Sequence, residues 1–396
     1  MPKYADRLTK IAPFRVVEML ERARELEREG QHVVHLEVGE PDFATAEPIV
    51  AAGQKALGEG ATKYTEALGI PALREAISDY YRGQGLEVEA ARIVVTTGAS
   101  AGLLLLAGLL LNPGDRWLLP DPGYPCNEVF VRLVDGQTQP LPVQASHRFQ
   151  PTAELVEAHW EPSTKGILLA SPANPTGALL PPDDLVAIAK VARERGGVTL
   201  LDEIYQGLTY PAPGEESAYS SGLALVPDLF VVNSFSKYFG MTGWRLGWLV
   251  LPPGASEALT PLVQNLFISP PAVSQHAALA AFAPEAMAIH EARRQRFERR
   301  RNRLHAGLQA LGFGLGALPA GAFYLYADLA PLGLDMDGLS FARRLLEEEQ
   351  VAVTPGIDFG ANGTNQHLRF AYTTSTDNID LGLERIGRAL QRWSKG

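Results

Sequence analysis

The sequence predicts an α/β fold: a large domain with a mostly parallel sheet flanked by helices, plus a smaller α+β domain. Three observations predict it. Short, wholly apolar runs alternate with longer helical patterns, which is how strands buried on both faces and their crossover helices read. The chain has 396 residues, enough for two domains at roughly 150 residues each. Beyond residue 290 the pattern changes to shorter strands around a single helix.

Taken in order, helices are predicted over Val16 to Arg28, Ile70 to Arg82 and Ala101 to Leu111, where apolar residues recur at helical spacing or fill the segment. Apolar strands are predicted at Ile93 to Thr96, Trp117 to Leu119 and Gly166 to Ala170, then, after a helix at Pro182 to Arg195, at Val198 to Leu201, Leu229 to Val232 and Leu246 to Leu251. A long helix over Ala286 to Ala310 carries Arg293, Arg294, Arg296, Arg299, Arg300 and Arg301 with Glu291 and Glu298 interleaved. Mixed-sign charge on a helix is ordinary surface chemistry, so a solvated face is expected. Strands Phe323 to Tyr326 and Val351 to Thr354 flank a helix from Leu339 to Glu348, and Gln366 to Tyr372 reads as a further strand. No internal repeat, low-complexity tract or Ser/Gly linker separates the parts, so they are expected to pack together.

Composition narrows the function classes. Hydrophobic residues make up 46% and charged residues 20%, as in folded soluble enzymes. The net charge of -10, from 35 Lys and Arg against 45 Asp and Glu, gives no electrostatic case for nucleic acid. The apolar run Ala101 to Leu111 is shorter than the ~20 residues a membrane-spanning helix needs. Cys126 is the single cysteine, which excludes an intrachain disulfide and reads as a small buried hydrophobe. The N-terminus lacks a signal-peptide layout, so the cytoplasm is the expected compartment.

The residues that carry chemistry lie just beyond the predicted strands. Lys237 sits in the run Ser234-Phe235-Ser236-Lys237, with Arg245 following and Asn174, Asp202 and Tyr205 preceding it. A partly desolvated lysine loses its proton more readily and can hold an aldehyde carbon. Asp202 ends a buried strand, where ligands of open α/β sheets bind, and its carboxylate suits a pyridine nitrogen kept protonated as an electron sink. Arg245 offers a permanently charged fork for a phosphate. Gly98-Ala99-Ser100 joins a strand to the apolar helix, where backbone N–H groups and the helix dipole make an anion seat. Each has a plain structural alternative: a surface lysine, a strand-end aspartate, Ser100 as an N-cap. The ordered set points instead to one cofactor, pyridoxal phosphate.

At this point the chain resembles the class I aminotransferases of the fold-type I pyridoxal-phosphate enzymes. The matching pieces are Val38-Gly39-Glu40-Pro41-Asp42, Lys63-Tyr64, Thr97-Gly98-Ala99-Ser100, Asp121-Pro122-Gly123-Tyr124-Pro125, Asn174-Pro175-Thr176-Gly177, Asp202-Glu203-Ile204-Tyr205, Ser234-Phe235-Ser236-Lys237, Gly243-Trp244-Arg245-Leu246-Gly247 and His367-Leu368-Arg369-Phe370. Nine pieces in family order span almost the whole chain. The resemblance implies a large domain at 46–290 and a small domain from 1–45 with 291–396. It implies that Lys237 carries the cofactor and serves with Asp202 and Tyr205 in catalysis. Ala99, Ser100, Ser234, Ser236 and Arg245 would hold the phosphate, with Tyr64 reaching it from the other subunit of a homodimer. Tyr124 would stack on the ring and Asn174 and Tyr205 would bond its phenolic oxygen, although Tyr124 and Asn174 also read as turn residues. Arg369 would pair with the substrate α-carboxylate beside the backbone of Gly39, and Asn174 would also face the substrate. Cis peptide bonds are expected at Asp121-Pro122 and Asn174-Pro175.

What is implied is amino-group transfer from an L-amino acid to a 2-oxo acid. Ser100 stands where one dicarboxylate-specific subgroup has a lysine, and 265–271 contains no Arg or Lys. Burying an unpaired second carboxylate is costly, so apolar or aromatic amino acids are expected over strictly acidic ones. Aspartate transamination and β-elimination of cysteine conjugates are the alternatives on the same frame. A sensing regulator would need an added DNA-binding segment, and no basic helix-turn-helix stretch is present.

Overall fold

The computed structural model describes residues 4–11, 13, 15–211 and 220–394. Among the described residues thirteen strands follow in chain order: β1 Val34–His35, β2 Ile93–Thr96, β3 Arg116–Asp121, β4 Gln137–Pro142, β5 Thr164–Ala170, β6 Val198–Asp202, β7 Phe230–Ser234, β8 Gly247–Val250, β9 Gly314–Leu315, β10 Tyr324–Asp328, β11 Val351–Ala352, β12 Thr354–Pro355 and β13 His367–Ala371. Seven of them form one sheet in the order β2-β8-β7-β6-β5-β3-β4. β8 runs antiparallel to both neighbours, while β7, β6, β5, β3 and β4 pair in parallel.

The apolar runs of these strands follow from burial on two faces. Successive side chains of a strand alternate sides. Ile93, Val95, Ile167, Leu169, Leu201, Val231 and Trp248 therefore join one core with the helices Pro71–Arg82, Pro182–Glu194 and Ala272–Leu279. Their neighbours Val94, Leu168, Leu200, Val232 and Leu249 join a second core with Ala99–Leu110 and Ala255–Leu266. In the helix Ala99–Leu110 the side chains of Leu103, Leu105 and Leu106 are buried, each stabilising by about 1.5–3 kcal/mol. Gly102 lets this helix press onto the sheet: a Cβ there would lie 2.8 Å from Leu249 Cδ2.

A third core gathers the N-terminal helix Arg15–Arg28 and strand β1 with residues beyond 297. Here β12-β13-β10-β9 form an antiparallel sheet and β1 pairs in parallel with β11. Asp358 accepts from the N–H groups of Arg15 and Val16 at 2.8 and 2.7 Å, capping the N-terminal helix through a contact far away in sequence. The expected strand at Val351 to Thr354 is two strands, β11 pairing with β1 and β12 with β13.

The arginine helix corrects an expectation. Pro284–Ala310 is continuous, and Arg300 and Arg301 on it are buried at 7% and 5% exposure. Arg300 donates twice to the Asp42 carboxylate at 2.8 Å, and Arg301 Nη1 donates to the Pro319 carbonyl at 2.7 Å. Arg294 pairs with Glu291 and Glu298. Only part of the run, Arg296 and Arg299, is solvated. The helix contacts elements of both parts of the molecule, Glu47–Gly58 as well as Thr376–Trp393, so protein covers more of its circumference than a surface helix would show.

Among the described residues no helix is long and apolar enough to cross a membrane, and no group of acidic, His and Cys side chains is placed to hold a metal ion.

Candidate active site

The carboxyl ends of the parallel strands converge on one cavity of about 400 Å³. β2 leads to Ala99 and Ser100, β3 to Tyr124, β5 to Asn174, β6 to Asp202 and Tyr205, and β7 to Ser234, Ser236 and Lys237, all in the cavity wall. Arg245 joins them because β8 is antiparallel: the residues that enter β8 stand at the edge where the parallel strands leave. The peptide bonds Asp121-Pro122 and Asn174-Pro175 are cis, as expected, and Ser171-Pro172 is cis as well.

Gly98 has φ 80°, and a Cβ there would stand 2.7 Å from Arg245 Nη2, so glycine lets the guanidinium close on the helix N-terminus. The helix begins at Ala99 with Gly98 as its N-cap and no side-chain cap. Ser100 is thus a first-turn residue, not the N-cap. The first N–H groups of a helix have no intrahelical partner, so the helix start at Ala99 and Ser100, both in the cavity wall, suits an anion. The hydroxyl of Ser234 accepts from the Ser236 N–H at 3.0 Å, which fixes the turn that delivers Lys237.

Lys237 Nζ donates to the Gly39 carbonyl at 2.7 Å. Burial lowers its pKa to about 8, with nearby Glu40 pulling the other way and Arg369 and Arg245 reinforcing the fall. Asp202 is 6% exposed, and burial raises its carboxyl to about 6, offset by the Ile204 N–H, which donates at 3.0 Å, and by Lys237. It remains ionised at neutral pH. Burial drives the Tyr124 and Tyr205 phenols upward, so both stay protonated and Tyr205 can donate.

Val38, Gly39, Glu40 and Tyr324 complete the cavity wall. Arg369 lies within β13 and is 5% exposed. It adjoins the cavity through two wall residues: Nη1 donates to Asn174 Oδ1 at 2.9 Å, and the guanidinium stands 4.3 Å from the Tyr324 ring centroid. The backbone of 37–39 binds both parts. The Glu37 carbonyl accepts from Arg369 Nη2 at 2.8 Å, that of Val38 from the Thr373 hydroxyl at 2.8 Å, and that of Gly39 from Lys237. Tyr64 is elsewhere: it is 80% exposed and does not line the cavity of its own chain.

The sequence profile described as "Aminotransferase class I and II" matches residues 31–386. The chain belongs to this family. The aminotransferase is 39% identical to the valine–pyruvate aminotransferase of Mycobacterium tuberculosis over 95% of this chain and 96% of that protein. It is 36% identical to the aspartate/prephenate aminotransferase of Thermus thermophilus, covering 98% of each. Among solved structures, an aminotransferase from Mycobacterium tuberculosis superposes with a TM-score of 0.93 at 37% identity, over 99% of this chain and 100% of that one. The Thermus thermophilus aspartate aminotransferase with maleate gives 0.90 at 35% identity, over 98% and 100%.

Enzymes of this class depend on pyridoxal phosphate, and the residues present suit it. A lysine of depressed pKa, a buried carboxylate at a strand end and an arginine pressed against a helix N-terminus match an aldehyde, a ring nitrogen and a phosphate. Sequence reasoning missed Tyr324, which lines the cavity and bonds the Tyr205 hydroxyl at 2.8 Å. Its strand was legible, but alternation along Phe323-Tyr324-Leu325-Tyr326 does not say which aromatic meets the cavity. It also missed Val38, Ile204 and Thr242 in the wall.

Proposed function

We propose that this aminotransferase moves the α-amino group of L-amino acids with apolar or aromatic side chains to a 2-oxo acid, in preference to strictly acidic donors. The carrying observation is the charge around the site. Among the described residues the only cationic side chains in the cavity wall are Lys237 and Arg245, both needed for the cofactor. A second cavity of about 380 Å³ shares Tyr124, Ala170 and Asn174 with it; its wall includes Asp121, Glu128 and Asp358, and no Lys, Arg or His among the described residues. A distal carboxylate would meet carboxylates there, whereas Tyr124, Ile357 and Phe359 offer apolar contact.

Pyridoxal phosphate, when bound, supplies an aldehyde and an electron-withdrawing ring. The protein's part is then as follows. Lys237 would hold the cofactor's aldehyde carbon and, as a free amine, would take and return a proton at the substrate α-carbon. Asp202 keeps the ring nitrogen protonated. Tyr205 and Asn174 donate to the phenolic oxygen, and Tyr124 covers the ring face. Ala99 and Ser100, with the hydroxyls of Ser234 and Ser236 and the Arg245 guanidinium, neutralise the phosphate. Arg369 and the Gly39 backbone take the α-carboxylate. Binding across both parts of the chain couples substrate entry to exclusion of water. The corresponding division is 46–290 against 1–45 with 291–396, a boundary that falls inside the continuous helix Pro284–Ala310.

Half-reaction spectra with a panel of amino acids test the substrate class. Aromatic and branched aliphatic donors are expected to convert the loaded enzyme at least 10-fold more efficiently than aspartate or glutamate, since burying an unmatched carboxylate costs more than the ~1.4 kcal/mol that tenfold represents. Equal or greater efficiency with aspartate overturns the preference.

The site is further proposed to be shared in a homodimer. Tyr64 is exposed, as are Leu266 and Ile268, and the Thr65 N–H donates to Ser269 Oγ at 3.4 Å, so the segments expected to reach the other subunit lie side by side. Mixing Tyr64→Phe and Lys237→Ala protomers separates the alternatives. In a shared-site heterodimer one site is free of both lesions, and purified heterodimer should show about half the wild-type activity. If each site is built from one chain, activity equals the mean of the two parent homodimers, which rejects the shared site.

A further inference from the structure

Tyr324 is 1% exposed, yet its hydroxyl reaches the cavity wall. The room for that hydroxyl comes from Gly39, where a Cβ would lie 2.3 Å from the Tyr324 oxygen. Among the described residues its hydrogen-bond partner is the Tyr205 hydroxyl, 2.8 Å away. The two rings meet edge to face, 5.7 Å between centroids, and the opposite claim on the Tyr324 ring is the Arg369 guanidinium at 4.3 Å. One residue thus touches both a group assigned above to the cofactor and the group assigned to the substrate carboxylate.

Two hydroxyls sharing one bond can donate in either direction, and which one does so is decided by the other acceptors in reach. Among the described residues Tyr324 has no other acceptor, whereas Tyr205 faces the cavity where the phenolic oxygen of the cofactor belongs. A phenolic anion is a stronger acceptor than a neutral phenol. The favoured arrangement is Tyr324 donating to Tyr205, with the Tyr205 proton free for the cavity. A hydroxyl that accepts one bond also becomes a better donor, by perhaps 10–30% per bond.

We propose that Tyr324 is a positioning residue of the amino-transfer reaction: its hydroxyl aims and strengthens the Tyr205 donor, and its ring seats the Arg369 guanidinium. The inference rests on the assignment of Tyr205 to the phenolic oxygen. Bonds to that oxygen favour its anion and lower the pH at which the bound cofactor's absorption changes. Removing the Tyr324 hydroxyl weakens the bond without abolishing it, so the midpoint should rise.

The test is spectrophotometric pH titration of the cofactor-loaded wild type, Tyr324→Phe and Tyr205→Phe, with steady-state kinetics alongside. Tyr324→Phe keeps the ring and removes one atom, so folding is preserved. Its midpoint is expected to rise by on the order of 0.3 pH unit, against about one unit or more for Tyr205→Phe. The KM for the amino acid should stay within about twofold of wild type, because the ring under Arg369 remains, while kcat falls severalfold. A midpoint unchanged or lowered in Tyr324→Phe but raised in Tyr205→Phe overturns the role of Tyr324 and leaves that of Tyr205 standing. Unchanged midpoints in both variants overturn the Tyr205 assignment and the Tyr324 inference with it.

Discussion

Lys237→Ala is expected to abolish transamination, by about 10⁴-fold or more, because the variant loses both the amine that holds the cofactor and the proton carrier. Cofactor should still bind noncovalently through the phosphate seat. In the wild type, borohydride reduction followed by peptide mapping should place the pyridoxyl label on Lys237. The competing lysines are poorly suited: Lys165 is paired with Asp115, and Lys190 is 71% exposed beside Glu194. A label on either removes Lys237 from its assigned role. Burial also gives this prediction a pH dependence. With its pKa lowered from 10.5 to about 8, Lys237 is neutral above pH 8 and progressively protonated below it. Capture of added pyridoxal phosphate by the cofactor-free protein should therefore slow about tenfold per pH unit below pH 8 and level off above it, since only the neutral amine attacks an aldehyde. Lys237→Ala should show no such covalent capture at any pH.

Asp202→Asn is the second large effect. The substitution keeps shape and hydrogen bonding but removes the negative charge that holds a proton on the ring nitrogen. The half-reaction is expected to slow on the order of 10³-fold, as when a charge-stabilising group is lost from a water-excluded site, with cofactor binding retained. Stability should move the other way. The folded protein raises the Asp202 carboxyl from 3.8 to about 6, so keeping it ionised in the cofactor-free chain is destabilising above that pH. Asp202→Asn without cofactor should then be more stable than wild type at pH 7.5 and unfold at a higher temperature, by on the order of 3 kcal/mol at most for a shift from 3.8 to about 6, and the difference should shrink as the pH falls below 6. A slow variant that is also less stable would point to misfolding, and near-normal turnover would remove Asp202 from the mechanism.

The sequence by itself determined the elements whose signals are local. Apolar runs located β2, β3 and β5 to β8 because strands buried on both faces need no polar side, and helical spacing located Arg15–Arg28, Pro71–Arg82 and Pro182–Glu194. It left out Glu47–Gly58, Cys126–Leu133, Ala255–Leu266 and the edge strand β4, whose sequence Gln-Thr-Gln-Pro-Leu-Pro carries too little apolar pattern to declare itself. For the site, the ordered set of Lys237, Asp202 and Arg245 with Asn174 and Tyr205 singled these residues out, since each residue type alone has a plain structural alternative. Their meeting was decided only in three dimensions. Arg245 reaches the cavity because β8 runs against its neighbours, and strand direction depends on pairings far apart in sequence. Arg300 and Arg301 are buried because Asp42 and Pro319 come to them, which no charge pattern along a helix can reveal. Tyr324 sits against Tyr205, 119 residues away, because β10 brings it to the wall of the cavity at the ends of the parallel strands and Gly39 leaves room for its hydroxyl. Chemistry is written in side-chain types, which a sequence states outright; orientation is a property of non-local packing, and only the folded chain holds it.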